Sequence, residues 1–310
     1  MIIVFGSINL DLVTRIERFP KPGETITGSS FAIYPGGKGA NQALAAARAG
    51  AKVRMVGAVG RDAFAEPALE LLATAGVDLS GVERVDGATG CATILVDAAG
   101  ENCIAVVAGA NAHVNPAGVA DEELTPTTLL VLQQEVPAGA NATLVERAHR
   151  LGARTLLNAA PARPLSREVV DQLDFLVINE LEVLTLGEAL GLPLAPEPFA
   201  RAAVVSHAAL TVVVTLGAQG ALAVNREQMW RVHAPAVNVV DTTAAGDAFV
   251  GALAASLECG DDLPRALRFG VAAGSLACTA HGAQSALPDR AAIGSLLPSV
   301  ALMASDEGSR

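Results

Sequence analysis

A chain of 310 residues, 51% of them hydrophobic, with 30 glycines and only one Trp and one Tyr, suits one large α/β domain cored by aliphatic strands and Ala-rich helices. Twenty-one basic against 32 acidic residues give a net charge of −11, which argues against a nucleic-acid-binding surface but leaves room for a local site for an anionic nucleotide. Cys91, Cys103, Cys259 and Cys278 show no metal-ligand spacing and suit a reducing cytoplasm, where they serve as small apolar fillers.

Ile2-Ile3-Val4-Phe5 reads as a buried central strand, with no basic region ahead of it to suggest a secretory segment. Apolar and polar residues then alternate in Ile8-Asn9-Leu10-Asp11-Leu12, so Asn9 and Asp11 share one side of a half-buried strand. Two polar groups there could grip substrate hydroxyls, or could simply face solvent. Pro20-Lys21-Pro22-Gly23-Glu24 is turn chemistry, and Thr25-Ile26-Thr27 is expected to begin another strand.

Gly36-Gly37-Lys38-Gly39-Ala40-Asn41-Gln42-Ala43 follows, running into a helix that holds Ala43, Leu44 and Ala47. Glycine lets backbone approach a ligand, and a helix start leaves N–H donors free. The stretch is not a Walker A loop, since Lys38 precedes Gly rather than Ser or Thr; nor is it a dinucleotide fingerprint, since Gln42 stands where its last glycine would fall. Val53–Val56 is then expected as a strand, Ala63–Ala75 as a helix, and Ala92–Val96 and Cys103–Val107 as a hairpin across Asp97-Ala98-Ala99-Gly100. That hairpin, with the early strands around residues 11–33, predicts a small separate sheet.

From residue 129 the rhythm becomes strand–helix–strand. Leu129–Leu132, Thr155–Asn158, Phe175–Ile178 and Val212–Thr215 read as strands, and Ala140–Leu151 and Leu181–Leu190 as helices. Repeated βα units call for a parallel sheet with helices on both faces, and ligands collect at the carboxyl ends of its strands. Residues 202–225 lack acidic and basic side chains, but Ser206, His207, Thr211, Thr215 and Gln219 interrupt them, so a helix and a buried strand explain the stretch better than a membrane span.

Asp241-Thr242-Thr243-Ala244-Ala245-Gly246-Asp247-Ala248-Phe249 is a turn of small residues between the extended Val237–Val240 and a helix marked by Phe249, Leu253 and Leu257. N–H groups converge at such a helix start, and the helix dipole favours negative charge there. Asp247 can be a helix-start residue, or a base beside a bound phosphate. Clusters at Glu135, at Asn179 and Glu182, at Thr215-Leu216-Gly217 and at Asp241–Asp247 all fall after strands on one edge. Helices are expected through Leu257, over Leu263–Thr279 and over Asp289–Leu297, with a frayed tail from Ser305 to Arg310.

These motifs, together with Gly6-Ser7-Ile8-Asn9-Leu10-Asp11 and Gly109-Ala110-Asn111, occur in an order that resembles the ribokinase-like (PfkB) family of sugar and nucleoside kinases, from about Ile3 to Pro288. Ala244-Ala245-Gly246-Asp247, rather than Gly-Ala-Gly-Asp, points to the branch that phosphorylates ribose. The resemblance implies a three-layer α/β fold with a parallel sheet. One kinase domain would span 1–310, with a small β-sheet lid from about 11–33 and 89–108 that pairs with its copy in a homodimer. It also implies transfer from ATP to the 5-hydroxyl of D-ribose, with Asp247 as base and the N–H groups of Ala245, Gly246 and Asp247 as anion hole.

By the same resemblance, Asn9, Asp11, Gly37, Lys38, Asn41 and Glu135 hold the sugar, Gly37 and Lys38 mainly through backbone. Asn179 and Glu182 support Mg²⁺ through waters, and Thr215, Gly217, Gly220, Gly246 and Val271 contact the nucleotide. A monovalent cation, K⁺, would lie against the Asp241 carboxylate and carbonyls of Thr243, Ala277, Ala280 and Gly282. The family's serine in the last loop aligns with Ala286, and Ser285 comes one place early, so either the loop shifts or that ligand is lost. The alternatives are a kinase for fructose, 2-deoxyribose or a nucleoside, and a sugar-binding regulator without chemistry; intact Asp247 and Asn-x-x-Glu speak against the regulator.

Overall fold

The computed structural model describes residues 1–207 and 209–305. Its strands are β1 (Ile2–Phe5), β2 (Asn9–Arg15), β3 (Ser30–Gly36), β4 (Val53–Gly60), β5 (Asp78–Val85), β6 (Gly90–Val96) and β7 (Asn102–Val107). There follow β8 (Leu129–Gln133), β9 (Arg154–Asn158), β10 (Phe175–Asn179), β11 (Thr211–Thr215), β12 (Ala221–Val224), β13 (Met229–His233) and β14 (Ala301–Ser305). The α-helices are α1 (Lys38–Arg48), α2 (Ala65–Thr74), α3 (Ala138–Leu151), α4 (Arg167–Val170), α5 (Glu180–Leu190), α6 (Pro196–Ser206), α7 (Ala245–Glu258), α8 (Leu263–Ala277) and α9 (Arg290–Leu296).

β1 shows why the molecule has three layers. All four of its residues are buried, Ile2 and Val4 in one apolar cluster and Ile3 and Phe5 in another, because successive strand side chains point to opposite faces. The first cluster takes in α1, α2, α7 and α8; the second takes in α3, α5 and α6. Between them lies a sheet ordered β14-β13-β12-β11-β10-β9-β8-β1-β4-β5. β11 through β5 run parallel, and β12, β13 and β14 add antiparallel strands at one edge. The second sheet, β3-β2-β6-β7, leaves the carboxyl end of β1 through Gly6-Ser7-Ile8 and carries exposed Phe31, Ile33, Ile104 and Val106.

The α/β reading and the small separate sheet hold, while several elements differ from expectation. Thr25–Thr27 is irregular and pairing begins at Ser30, because Gly28 and Ser29 cross close over the end of β2, Ser29 N–H donating to Arg15 O at 2.8 Å. Val237–Val240 is not a strand either; Val239 and Val240 are largely exposed, and the strand before the Asp241 turn is β13, several residues earlier. β5 and the antiparallel edge are additions to the expected sheet. Ser305 closes β14 against Met229, whereas the rest of the tail expected to fray lies outside the described residues. No helix among the described residues is long and apolar enough to cross a membrane.

Helix α7 is held between α1 and α8 by contacts that admit no larger side chain. A Cβ on Gly251 would stand 2.5 Å from Ala45 Cβ and 2.6 Å from Gln42 O, and one on Gly270 would stand 3.0 Å from the Phe249 ring. The Ala-rich sequence of α1 follows from this approach. Gly251→Ala pushes α1 and α7 apart and is expected to lower unfolding free energy by about 1–3 kcal/mol, the usual cost of overpacking. Urea titration with unchanged slope checks this, and a gain in stability would contradict it.

Candidate active site

Asp247 occupies the first turn of α7. The residue before the helix, Ala244, has φ 59°, the only positive-φ non-glycine residue among those described. That conformation costs an L-residue about 1–2 kcal/mol, and it starts the helix abruptly with no side-chain cap. The first N–H groups of a helix have no carbonyl four residues back. Ala245 N–H reaches Thr242 O at 3.3 Å, so this member of the expected anion hole has a long internal bond, and it is followed by exposed Gly246 and buried Asp247.

The Asp247 side chain points the other way, into the protein, and is buried. Asn41 Nδ2 donates to its Oδ2 at 2.9 Å. Gln42 Nε2 donates to its Oδ1 at 2.9 Å and also to Asn158 Oδ1 at 3.0 Å. Burial pushes the Asp247 carboxyl above the ordinary range; the Lys38 ammonium and the two amide donors oppose this, and the charge on Glu135 adds to it. Lys38 is pushed up, by Asp247 first and by Glu135 and Glu182 after it, against the effect of its own burial. Asn41 Oδ1 and Gln42 Oε1 are buried with no protein partner. An amide acceptor in that state, beside a carboxylate, is suited to a hydroxyl.

The remaining sugar-site candidates gather at the carboxyl ends of β1 and β8. Glu135 Oε2 accepts from Ser7 Oγ at 2.6 Å and from Lys38 N–H at 3.0 Å. The Lys38 backbone donor expected for the sugar is therefore already used by Glu135. Gly37, with φ 87°, passes so close that a Cβ would meet Asn9 N at 2.8 Å. Asn111 Nδ2 donates to Oδ1 of buried Asn9 at 2.7 Å, and Asn111 Oδ1 accepts Ile8 N–H at 2.9 Å. Asp11 lies against Gly36, whose missing Cβ leaves room for its carboxylate.

On the other side of the α7 start is a cleft of about 510 Å³, lined by Thr215, Gly217, Gly220, Ala245, Gly246 and Val271 among others. All the residues expected at the nucleotide, apart from Asn179 and Glu182, line it. Its walls are mainly apolar, and its size suits a drug-sized or nucleoside ligand. Asn179 and Glu182 form a capping box: Asn179 Oδ1 accepts Leu181 N–H and Glu182 N–H at 2.9 Å each, and Glu182 Oε2 accepts Asn179 N–H at 2.7 Å. Their spacing thus has a structural cause of its own. Glu182 is buried, and that burial raises its pKa against the Asn179 backbone bond and Lys38.

Asp241 accepts Thr243 N–H at 2.9 Å, Thr243 Oγ at 2.6 Å and Gly282 N–H at 3.0 Å. Burial would raise its pKa, but these donors outweigh it and hold the carboxylate low. Ser285 Oγ donates to His281 O at 3.0 Å, and Ala286 is buried beside it. Ala277, Ala280 and Gly282 lie in the same segment at the end of α8. Among the described residues no group of three or more His, Cys, Asp or Glu could hold a metal by itself.

The sequence assigns no role to Gln42, Asn158, Asn111 or Ser7, although Ser7, Gln42 and Asn111 lie within the motifs that carry the resemblance. For Asn158 the only signal is a polar residue at a buried strand end.

Comparison with known proteins places the chain in a family. The model of the pfkB family carbohydrate kinases matches residues 1–290. The chain is 38% identical to the ribokinase of Haemophilus influenzae, covering 93% of this chain and 95% of the relative. It is 39% identical to the deoxyribokinase of Salmonella typhimurium with the same coverages. The structure of Arabidopsis thaliana ribokinase complexed with ribose and ATP matches with a TM-score of 0.86 and 33% identity, over 96% of this chain and 98% of that one. The chain belongs to the pfkB family of carbohydrate kinases.

Burial first, then the charges on Glu135 and Asp247, pushes Asp11 up to about 7. Between the unfolded and folded values the native state binds more protons, so this group favours folding in acid and the contribution is lost as pH rises toward neutrality. Asp11→Asn is accordingly expected to raise the melting temperature of the ligand-free protein at pH 8 and to leave it nearly unchanged at pH 4. An equal shift at both pH values in thermal melts would contradict the assignment.

Proposed function

We propose that this protein is an ATP-dependent sugar kinase that transfers the γ-phosphoryl group to the 5-hydroxyl of D-ribose, with Asp247 as general base. The observation that carries the reading is the position of Asp247. It lies between a polar pocket of Asn9, Asp11, Asn41 and Glu135 and a mainly apolar cleft lined by Gly246 and Val271. Phosphoryl transfer has a loose transition state, so positioned charge matters more than a strong base. The sugar hydroxyl oxygen bonds to the γ-phosphorus as the bond to the β–γ bridging oxygen breaks; the hydroxyl proton passes to Asp247, and ADP leaves. The N–H groups of Gly246 and Asp247, with the longer-bonded Ala245, would face the charge on the transferring group. Buried acceptors such as Asn41 Oδ1 suit a polyol, and a site built for hydroxyls discriminates against analogues that lack them.

Identity to a deoxyribokinase as high as that to ribokinases supports a second reading, 2-deoxyribose. The chain would work as one domain, 1–310, with the sheet of β2, β3, β6 and β7 as lid. Its exposed Phe31, Ile33, Ile104 and Val106 support a homodimer through that face, and four free cysteines suit a cytoplasmic setting.

The donor set fits Mg²⁺ held through water and phosphate, since Mg²⁺ keeps its waters and needs no cage, and Glu182 with Asn179 would hold those waters. The ion supplies charge neutralisation on the phosphates. An ionised Asp241, kept low by its donors, fits a monovalent cation; Thr243, Ala277, Ala280, Gly282 and Ala286 would add only backbone carbonyls.

ADP release measured with ribose, 2-deoxyribose, fructose, adenosine and cytidine, in K⁺ and in Na⁺, is expected to be fastest with ribose and K⁺. A lead for 2-deoxyribose would favour the second reading; silence on every sugar would overturn both. Asp247→Asn is expected to lower kcat on the order of 10²–10⁴-fold, and near-normal turnover would remove Asp247 from its role.

A further inference from the structure

The two oxygens of Asp247 are held by different residues, and only one of the two holders is itself tied to a third side chain. Oδ2 faces Asn41, whose amide nitrogen is bonded to Asp247 and whose amide oxygen, like that of Gln42, is buried without a protein partner. Oδ1 faces Gln42, which lies deeper, almost wholly inaccessible, and belongs to a chain of bonds leading away from the pocket. Asn158 Nδ2 donates to the backbone carbonyl of Val177 at 3.2 Å, which fixes Asn158 Oδ1 toward Gln42. Gln42 Nε2 then spends one N–H on Asn158 Oδ1 and the other on Asp247 Oδ1. An inverted Gln42 amide would set its oxygen against two acceptor oxygens, so the donor orientation is enforced from the backbone of β10.

We infer that Gln42, oriented by Asn158, is a positioning residue that holds Oδ1 of Asp247 throughout the reaction, leaving Oδ2 as the atom that exchanges Asn41 for the sugar hydroxyl. The inference rests on the reading of Asp247 as general base. Fixing one oxygen from the protein side sets the rotation of the carboxylate, so that Oδ2 stays aimed at the pocket when Asn41 turns to the substrate. A donor that persists also favours the charged form of a group that burial disfavours. The ionisable groups around Asp247 are Lys38 from α1, Glu135 after β8, Asp11 from β2 and Glu182 from α5. One cation among these carboxylates leaves the amide donors a real share in keeping Asp247 ionised.

The test compares Gln42→Met, Gln42→Glu, Asn158→Leu and Asp247→Asn with the wild type, using kcat, KM for the sugar and the pH profile of kcat. Gln42→Met keeps length and volume and removes the donor. It is expected to lower kcat on the order of 10–100-fold, to leave KM for the sugar within about twofold, and to move the acid limb of the profile upward by about one pH unit. Gln42→Glu is expected to move the limb further, because two carboxylates would then share one site. Asn158→Leu is expected to act in the same direction but less, and it keeps the inference testable should Gln42→Met fail to fold. Wild-type kcat with an unmoved acid limb in Gln42→Met, beside an inactive Asp247→Asn, would overturn this inference and leave the base in place. A fall in kcat with no movement of the limb would also overturn it, since loosened packing alone produces that. Active Asp247→Asn would instead remove the reading on which the inference stands.

Discussion

The Asp247 carboxylate is buried at the start of a helix, where burial disfavours its charge, and much of the surrounding structure serves to bring compensating donors and a cation to it. The helix dipole and Lys38 supply charge; Asn41 and Gln42 supply donors. Both amides come from α1, so α1 must lie close enough to α7 for short side chains to span the gap. Gly251 against Ala45 and Gln42 O gives that closeness on one side, and Gly270 and Gly274 against Phe249 and Ala245 on the other. The small residues that make α1, α7 and α8 look featureless are what bring the Asp247 carboxylate and its two amide donors within bonding distance.

The same economy explains why the polar groups of the pocket are arranged in pairs rather than singly. Glu135 is held by Ser7 Oγ and Lys38 N–H, Asn9 by Asn111, and Asp247 by Asn41 and Gln42. Asp11 stands apart, with its carboxyl pushed up to about 7 by burial and two like charges. Asp247, Glu135 and Glu182 gather around the one Lys38 ammonium, and burial pushes the carboxyls of Asp11, Glu182 and Asp247 upward, so like charges are held close together here. Proteins accept such costs where binding or chemistry requires them.

The layers of the fold were legible because their signals are local. The apolar run of β1, the βα rhythm from residue 129 and the turn at Asp97–Gly100 each state their structure within a few residues. The antiparallel edge was not legible, because β12 and β13 are short and β14 meets β13 only across a long separation in sequence. Val237–Val240 misled for a different reason: an apolar run can line a cleft as well as enter a sheet, and Val237 and Val239 do the former. For the site, motif order located Asp247, Asn41 and Glu135, but which donor meets which oxygen depends on contacts more than two hundred residues apart in sequence. Gln42 and Asn158 could therefore emerge only from the folded chain. Asn179 and Glu182 show the converse, since one spacing serves a capping box and remains compatible with an ion site.

The central claim is that the substrate hydroxyl meets Asp247 at Oδ2 from the sugar pocket while the nucleotide enters from the opposite side of the α7 start. A crystal structure with D-ribose and a non-hydrolysable ATP analogue tests it most directly. The account predicts the 5-hydroxyl within hydrogen-bond distance of Oδ2, the γ-phosphate at the N–H groups of Gly246 and Asp247, and Gln42 still on Oδ1. A sugar bound with its 5-hydroxyl turned away from Asp247, or a nucleotide outside the cleft lined by Gly217 and Val271, would contradict it.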